Sequence, residues 1–182
     1  MMGKTIDILM AVYNGEMYIS EQIDSIINQS YKNWRLLIRD DKSKDNTNKI
    51  ITEYSKKDSR IKIIKDDKGN LGFVKNFEEL LNNSDSEYII FSDQDDVWFN
   101  DKVENLYNVI IKKNNEKAML IYCNCSVCDS SLNIIKNKFV KPIKNKINSY
   151  FFNFVVQGSS TMINKKMKEI ALPFFEEVYI HD

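Results

Sequence analysis

No stretch of this chain is apolar for long enough to cross a bilayer. A spanning helix needs about 20 consecutive apolar residues, and the nearest approach, Tyr150 to Val156, is far shorter and interrupted by Asn153. The first residues also lack the charged-then-apolar order of a signal peptide, so a soluble, cytoplasmic protein is expected. Neither sign of charge is in excess: 26 Lys+Arg balance 26 Asp+Glu among 182 residues. That balance excludes a global field pulling the chain toward nucleic acid, and any charged partner must be met locally. Only two prolines and five glycines are present, and no Pro/Gly-rich linker, repeat or low-complexity tract divides the chain. Residues 1–182 are therefore expected to form a single domain, long enough to bury a proper core.

Cysteine and histidine are scarce too. The three cysteines, Cys123, Cys125 and Cys128, fall in YCNCSVCD, and a four-ligand zinc site built on them would need His181, the single histidine. Ile121, Cys123, Cys125 and Val127 alternate with Tyr122, Asn124 and Ser126, which predicts instead a strand with one buried face. The phosphate loops G-x-x-x-x-G-K-[ST] and G-x-G-x-x-G are both absent.

Present in their place is an alternation of strand and helix signals. Apolar Ile6 to Val12, broken only by Asp7, predicts a strand buried on both faces, and Ile19, Ile23, Ile26 and Ile27 recur at helical spacing. Further strands are expected at Trp34 to Ile38, Ile61 to Ile64, Tyr88 to Phe91 and Met119 to Cys125. Helices are expected around Ile50, Ile51 and Tyr54 (capped by Ser43 or Asp45), around Phe73, Phe77, Leu80 and Leu81, and around Val103, Leu106 and Ile110. Such a sequence implies an α/β fold, a mostly parallel Rossmann-like central sheet flanked by helices. Ligands bind such sheets at the carboxyl ends of the strands, where this chain places Tyr13-Asn14-Gly15, Asp40-Asp41, Asp66-Asp67 with Asn70-Leu71-Gly72, and Asp93-Gln94-Asp95-Asp96. So much negative charge calls for a hard divalent ion, Mg²⁺ or Mn²⁺. Magnesium is usually held by one or two carboxylates plus substrate phosphates, so the Asp-x-Asp loop points to a phosphate-bearing substrate.

Three stretches resemble one family: AVYNGEMYISEQIDSIINQSYKNWRLLIRDDKSKDNT, NLGFVKNFEEL and, most diagnostically, FSDQDDVW, residues Phe91 to Trp98. They are similar to the inverting family 2 nucleotide-sugar glycosyltransferases, whose fold is GT-A, and the bacterial rhamnosyltransferase-like polysaccharide enzymes among them in particular. The resemblance implies a transferase that moves a sugar from a nucleotide-diphosphate donor, dTDP-rhamnose or a UDP-hexose, to a saccharide or lipid-linked acceptor. By the same resemblance Ala11, Val12, Tyr13 and Asn14 line the nucleotide pocket, and Asp41 reads the pyrimidine N–H. Asn70 and Gly72 match the motif beside the nucleotide. Asp93 holds the ribose or the metal shell, and Asp95 binds the metal. Gly158 and His181 match acceptor-side positions, and Asp182 matches the general base that takes the proton from the attacking hydroxyl. The family usually has glycine where this chain has Lys42, and relatives continue beyond their base, so the acceptor-binding portion is expected to be truncated here.

Two other classes fit parts of the sequence. IIFSDQDDV resembles the nucleophile loop of haloacid dehalogenase-type phosphatases, with Asp93 as nucleophile, although there the loop follows the first strand. A non-catalytic nucleotide-sugar binding module is the other. Lys136 to Lys146, KNKFVKPIKNK, carries five lysines and no acid. Its plainer reading is a solvated loop, and its sharper one is peripheral contact with anionic lipid at the inner face of the membrane.

Overall fold

The computed structural model describes residues 3–113, 115–137 and 157–174. Strands β1 (Ile6–Val12), β2 (Trp34–Asp40), β3 (Ile61–Ile63) and β4 (Tyr88–Ser92) alternate with helices α1 (Ile19–Ile27), α2 (Thr47–Lys57), α3 (Gly72–Asn83) and α4 (Lys102–Ile110). Strand β5 (Leu120–Tyr122) and a small hairpin, β6 (Val127–Cys128) with β7 (Ile134–Lys136), follow. A 3-10 turn at Gly158–Ser160 leads into β8 (Thr161–Asn164) and α5 (Lys165–Ala171).

The main sheet has the order β3-β2-β1-β4-β8-β5. Its first four strands are parallel, and β8 runs antiparallel to both β4 and β5. The expected mostly parallel sheet is found, with one strand inserted that periodicity did not announce. Residues TMIN are too few to display alternation.

Every residue of β1 is buried, and its two faces feed two cores. Ile6, Ile8, Met10 and Val12 pack with Ile19, Ile23 and Ile26 of α1 and Val103, Leu106 and Ile110 of α4. Leu9 and Ala11 pack with Phe77, Leu80 and Leu81 of α3 on the other side. Each fully buried Ile or Leu contributes about 1.5–3 kcal/mol, so these helical stripes fix both layers. Asp7 is tolerated in the middle strand because Arg35 donates to both its oxygens, at 2.8 and 2.9 Å, and Ser84 Oγ donates to it at 2.7 Å.

Two local expectations are corrected. Strand β5 ends at Tyr122 rather than Cys125, because its partner β8 begins only at Thr161 and the last rung is Cys123 N–H donating to Ser160 O at 3.0 Å. Asn124 then bonds to the Cys125 amide and the chain leaves the sheet. Cys123 and Cys125 are half-buried, and Cys128 and Val127 are exposed. The N-cap of α2 is Asn46, without a side-chain cap bond, rather than Ser43 or Asp45: Asp45 Oδ1 accepts from Thr47 N at 3.0 Å from one position upstream, and Ser43 turns toward Asp40.

Candidate active site

A 460 Å³ cleft opens at the carboxyl ends of β1, β2 and β4, lined by Ala11, Val12, Tyr13, Asp41, Asn70, Gly72, Asp93 and Asp95, with Phe73, Asn76 and Gln94. Eight of the positions singled out in the sequence thus meet in one place. Asn14 lies beside them and works as a tie: its N–H donates to Ser43 Oγ at 2.9 Å and its Oδ1 accepts from Lys44 N at 2.8 Å. Its φ of 50° is left-handed, a conformation Asn enters more readily than most residues. Lys42 adopts φ 65° where the family favours glycine, so the turn keeps its shape at the modest cost of a side chain in that region.

The floor of the cleft is an ion-pair network centred on Arg39, which is 2% exposed. Its guanidinium donates to both oxygens of Asp66 at 2.7 and 3.0 Å, to Asp41 Oδ1 at 2.7 Å and to Asn76 Oδ1 at 3.1 Å. Asp41 in turn accepts from Leu71 N and Gly72 N. Leu71 N–H is shared between the two oxygens, at 2.8 and 3.0 Å, so three donors occupy a carboxylate with about four acceptor sites. Gly72 needs its missing Cβ for its φ of 76°, not for space, since nothing lies within 4 Å of where a Cβ would be. Arg39 bonding holds the Asp66 carboxyl down at about 2, ahead of the opposing effect of burial.

Gln94 pins the acidic loop to the β1 loop by a two-point bond: Tyr13 N donates to its Oε1 at 2.9 Å and its Nε2 donates to Tyr13 O at 3.1 Å. A Cβ on Gly15 would sit 2.5 Å from that Oε1. Gly15→Ala should therefore push the Gln94 amide aside while barely changing the melting temperature, because the displaced atoms are the end of a flexible side chain. Severalfold weaker binding of a nucleoside diphosphate by calorimetry is the expected outcome, and unchanged affinity would show that the clamp does not shape the cleft.

Asp95 also borders a second cavity of 650 Å³, walled by Asp96, Trp98, Phe99, Lys102, Ser159 and the β6–β7 hairpin. Lys102 Nζ lies 3.8 Å from the Trp98 ring centroid and donates to Ser159 O at 2.8 Å, tying α4 to the turn that begins at Gly158. Burial pushes this ammonium down to about 8, against the upward pull of Cys123, Asp96, Asp93 and Cys125. Sequence reasoning gave no role to Arg39, Asn76, Gln94 or Lys102. Arg39 and Gln94 sit inside the recognised motifs RDDKSKD and SDQDD, so their adjacency to motif acids was the available signal. His181 and Asp182, and the lysine run beyond Lys136, lie outside the described residues.

Among the described residues no group of three or more His, Cys, Asp or Glu side chains converges as a metal cage. The donor set is two hard carboxylates at the cleft, Asp93 and Asp95, which fits Mg²⁺ or Mn²⁺ completed by substrate phosphates and does not fit zinc.

A mostly parallel sheet of this order, with acids at the ends of β2 and β4, has the GT-A arrangement. Residues 7–168 match Glycosyl transferase family 2, and the chain belongs to that family. It is 32% identical over 180 residues to the Escherichia coli UDP-Glc:alpha-D-GlcNAc-diphosphoundecaprenol beta-1,3-glucosyltransferase WfgD, covering 96% of this chain and 67% of the relative. It is 35% identical over 168 residues to the dTDP-rhamnosyl transferase RfbG of Shigella flexneri, covering 86% and 54%. The chain thus spans between half and two thirds of these relatives. In fold it resembles S. aureus TarS 1-349 (TM-score 0.54, 24% identity, 59% of this chain and 32% of that one). It also resembles the mannosyltransferase PcManGT from Pyrobaculum calidifontis, solved with GDP-Man and Mn2+ (TM-score 0.52, 19% identity, 56% and 30%). Neither the phosphatase nor the non-catalytic alternative finds support in these matches. No helix among the described residues is long and apolar enough to cross a membrane.

Proposed function

We propose that this chain carries the donor-binding half of an inverting transferase of bacterial cell-surface polysaccharide synthesis, acting in the cytoplasm on a dTDP- or UDP-sugar. The observation that supports it most is the joining, in one 460 Å³ cleft, of Asp41 with Asn76 at one end and Asp93 with Asp95 at the other. The exposed Tyr13 and Phe73 line the same cleft, and aromatic faces of this kind stack a base. Asp41 then offers its remaining acceptor capacity to the pyrimidine N–H, and Asn76 stands beside it for a ring carbonyl. Asp93 and Asp95 would hold the divalent ion, which when bound supplies positive charge against the charge growing on the leaving diphosphate.

The acceptor, a saccharide or a lipid-linked sugar, is assigned to the second cavity, on the far side of Asp95 and next to Gly158–Ser160. Its hairpin wall exposes Val127, Leu132 and Ile134, which suits an acceptor with an apolar portion, as in the name of the E. coli relative. Asp182 is assigned the general base, which removes the proton from the attacking hydroxyl, with His181 beside it on the acceptor side. The lysines from Lys136 to Lys146 are assigned to anionic lipid at the inner membrane face, worth about 1 kcal/mol each near such a surface.

The test combines binding and transfer. A panel of nucleotide sugars screened by thermal shift should single out a dTDP- or UDP-sugar whose stabilisation grows with Mn²⁺. Radiolabelled donor with a lipid-linked acceptor should then give transfer, and Asp182→Asn should abolish it while leaving donor binding intact. Full activity of the Asp182→Asn variant would put the base elsewhere.

A further inference from the structure

We propose that Gln22 and Ser25 of α1, with Gln29 and Ser30 just beyond its end, are positioning residues that fix the acid loop between β4 and α4, and thereby the diphosphate end of the donor cleft. This rests on the reading of Asp93 and Asp95 as that end. The spacing i, i+3 puts Gln22 and Ser25 on one helical face, Gln29 follows in the turn that ends the helix, and all three are turned inward: Gln22 and Gln29 are 0% exposed and Ser25 is 9%.

Between Ser92 and Lys102 the chain belongs to no helix or strand, so its peptide groups must find partners elsewhere. They find them on α1 and its end. Trp98 N donates to Ser25 Oγ at 3.1 Å. Gln29 Nε2 donates to Phe99 O at 2.8 Å, and its Oε1 accepts from Val103 N at 3.0 Å. Ser30 N donates to Asn100 O at 2.7 Å. With the Gln22 amide in the orientation that satisfies its neighbours, its oxygen accepts from Ser92 Oγ at 2.7 Å and from Trp98 Nε1 at 3.1 Å. Its nitrogen donates to Asp96 O at 2.7 Å and Ser25 Oγ at 2.9 Å. All four hydrogen-bonding positions of that amide are used. They grip the loop on both sides of Asp93 and Asp95.

Stability alone does not call for these residues. Exchanging a satisfied buried polar pair for apolar groups of the same shape is often neutral or favourable. What the polar stripe supplies is a single geometry for an otherwise irregular loop, and a shift of about 1 Å at a reacting group can change rate by about 100-fold.

The experiment compares two ligands on the intact chain. Binding of UMP or TMP without metal reads the base end of the cleft, and binding of UDP or dTDP with Mn²⁺ reads the acid loop. Gln22→Met keeps length and volume but removes the four bonds. It should leave monophosphate affinity unchanged and weaken diphosphate affinity by about tenfold or more, with Ser25→Ala moving the same way by a smaller factor. Equal weakening of both ligands, or no change in either, in folded protein overturns the proposal. If Gln22→Met does not fold, Ser25→Ala and Gln29→Met are judged by the same selective loss. A wild-type protein whose diphosphate binding ignores Mn²⁺ would refute the metal reading alone, and the diphosphate-to-monophosphate affinity ratio, measured without metal, would then decide the role of α1.

Discussion

Asp95→Ala should bind its nucleotide sugar about 10- to 100-fold more weakly than wild type and should stop responding to Mn²⁺. The expectation comes from the count of ligands. With two carboxylates at this end of the cleft and no larger cluster of acids among the described residues, removing one leaves half of the protein's contribution to the ion. A charge-assisted contact is worth about 1.5–3 kcal/mol, which is the stated range of affinity. The fold should survive, since Asp95 is exposed and lies outside every helix and strand. Calorimetry with and without Mn²⁺, together with a melting curve, separates the two effects. Undiminished, Mn²⁺-responsive binding by Asp95→Ala would remove Asp95 from the site.

A larger loss of stability is expected from Arg39→Met. Taking away the buried guanidinium leaves Asp41, itself 2% exposed, without its 2.7 Å partner, and Asp66 loses both of its bonds from Arg39. Breaking a buried pair from one side costs about 3–5 kcal/mol, against a total stability of about 5–15 kcal/mol for a domain. A melting temperature lower by about 10 °C is the corresponding outcome. The acid limb gives a second reading. Asp66 titrates at about 2 when folded and at 3.8 without its environment. Its contribution is thus complete above about 4 and disappears as pH falls through about 2. Wild type should lose that part of its stability between these values, and Arg39→Met should lack that part of the slope. An unaltered acid-unfolding curve in the variant would mean that the Arg39–Asp66 pair does not stabilise the fold.

The sequence disclosed the parallel part of the sheet because β1, β2 and β4 are mostly apolar runs, interrupted only by Asp7 in β1 and arginines in β2, and the helices between them carry apolar residues every three or four positions. The acids of the cleft were legible for the same reason, since each follows directly on such a run. What stayed hidden was polar and buried. Asp7, Arg39, Gln22 and Gln29 read in one dimension as breaks in a pattern or as outward-facing residues, and only the partners brought from 27 to 77 positions away explain their burial. Strand β8 was missed because four residues cannot display a period. The predicted extension of β5 failed because alternation tells which face a residue would take, not where the neighbouring strand stops.

Strand β8 carries one more implication. Running antiparallel to β4, with Ile90 opposite Met162, it begins at the edge of the sheet where β4 ends, so Gly158–Ser160 arrives beside the acid loop from the opposite direction. The chain leaves the sheet after β5 and re-enters it at β8, and backbone pairing holds both of these points. Lengthening such an excursion costs only about 0.6 kcal/mol for each doubling. The side to which the acceptor is assigned is therefore open to insertion and replacement, while the side assigned to the nucleotide, locked strand by strand around β1, has no comparable freedom: one scaffold can keep its currency and change its customer.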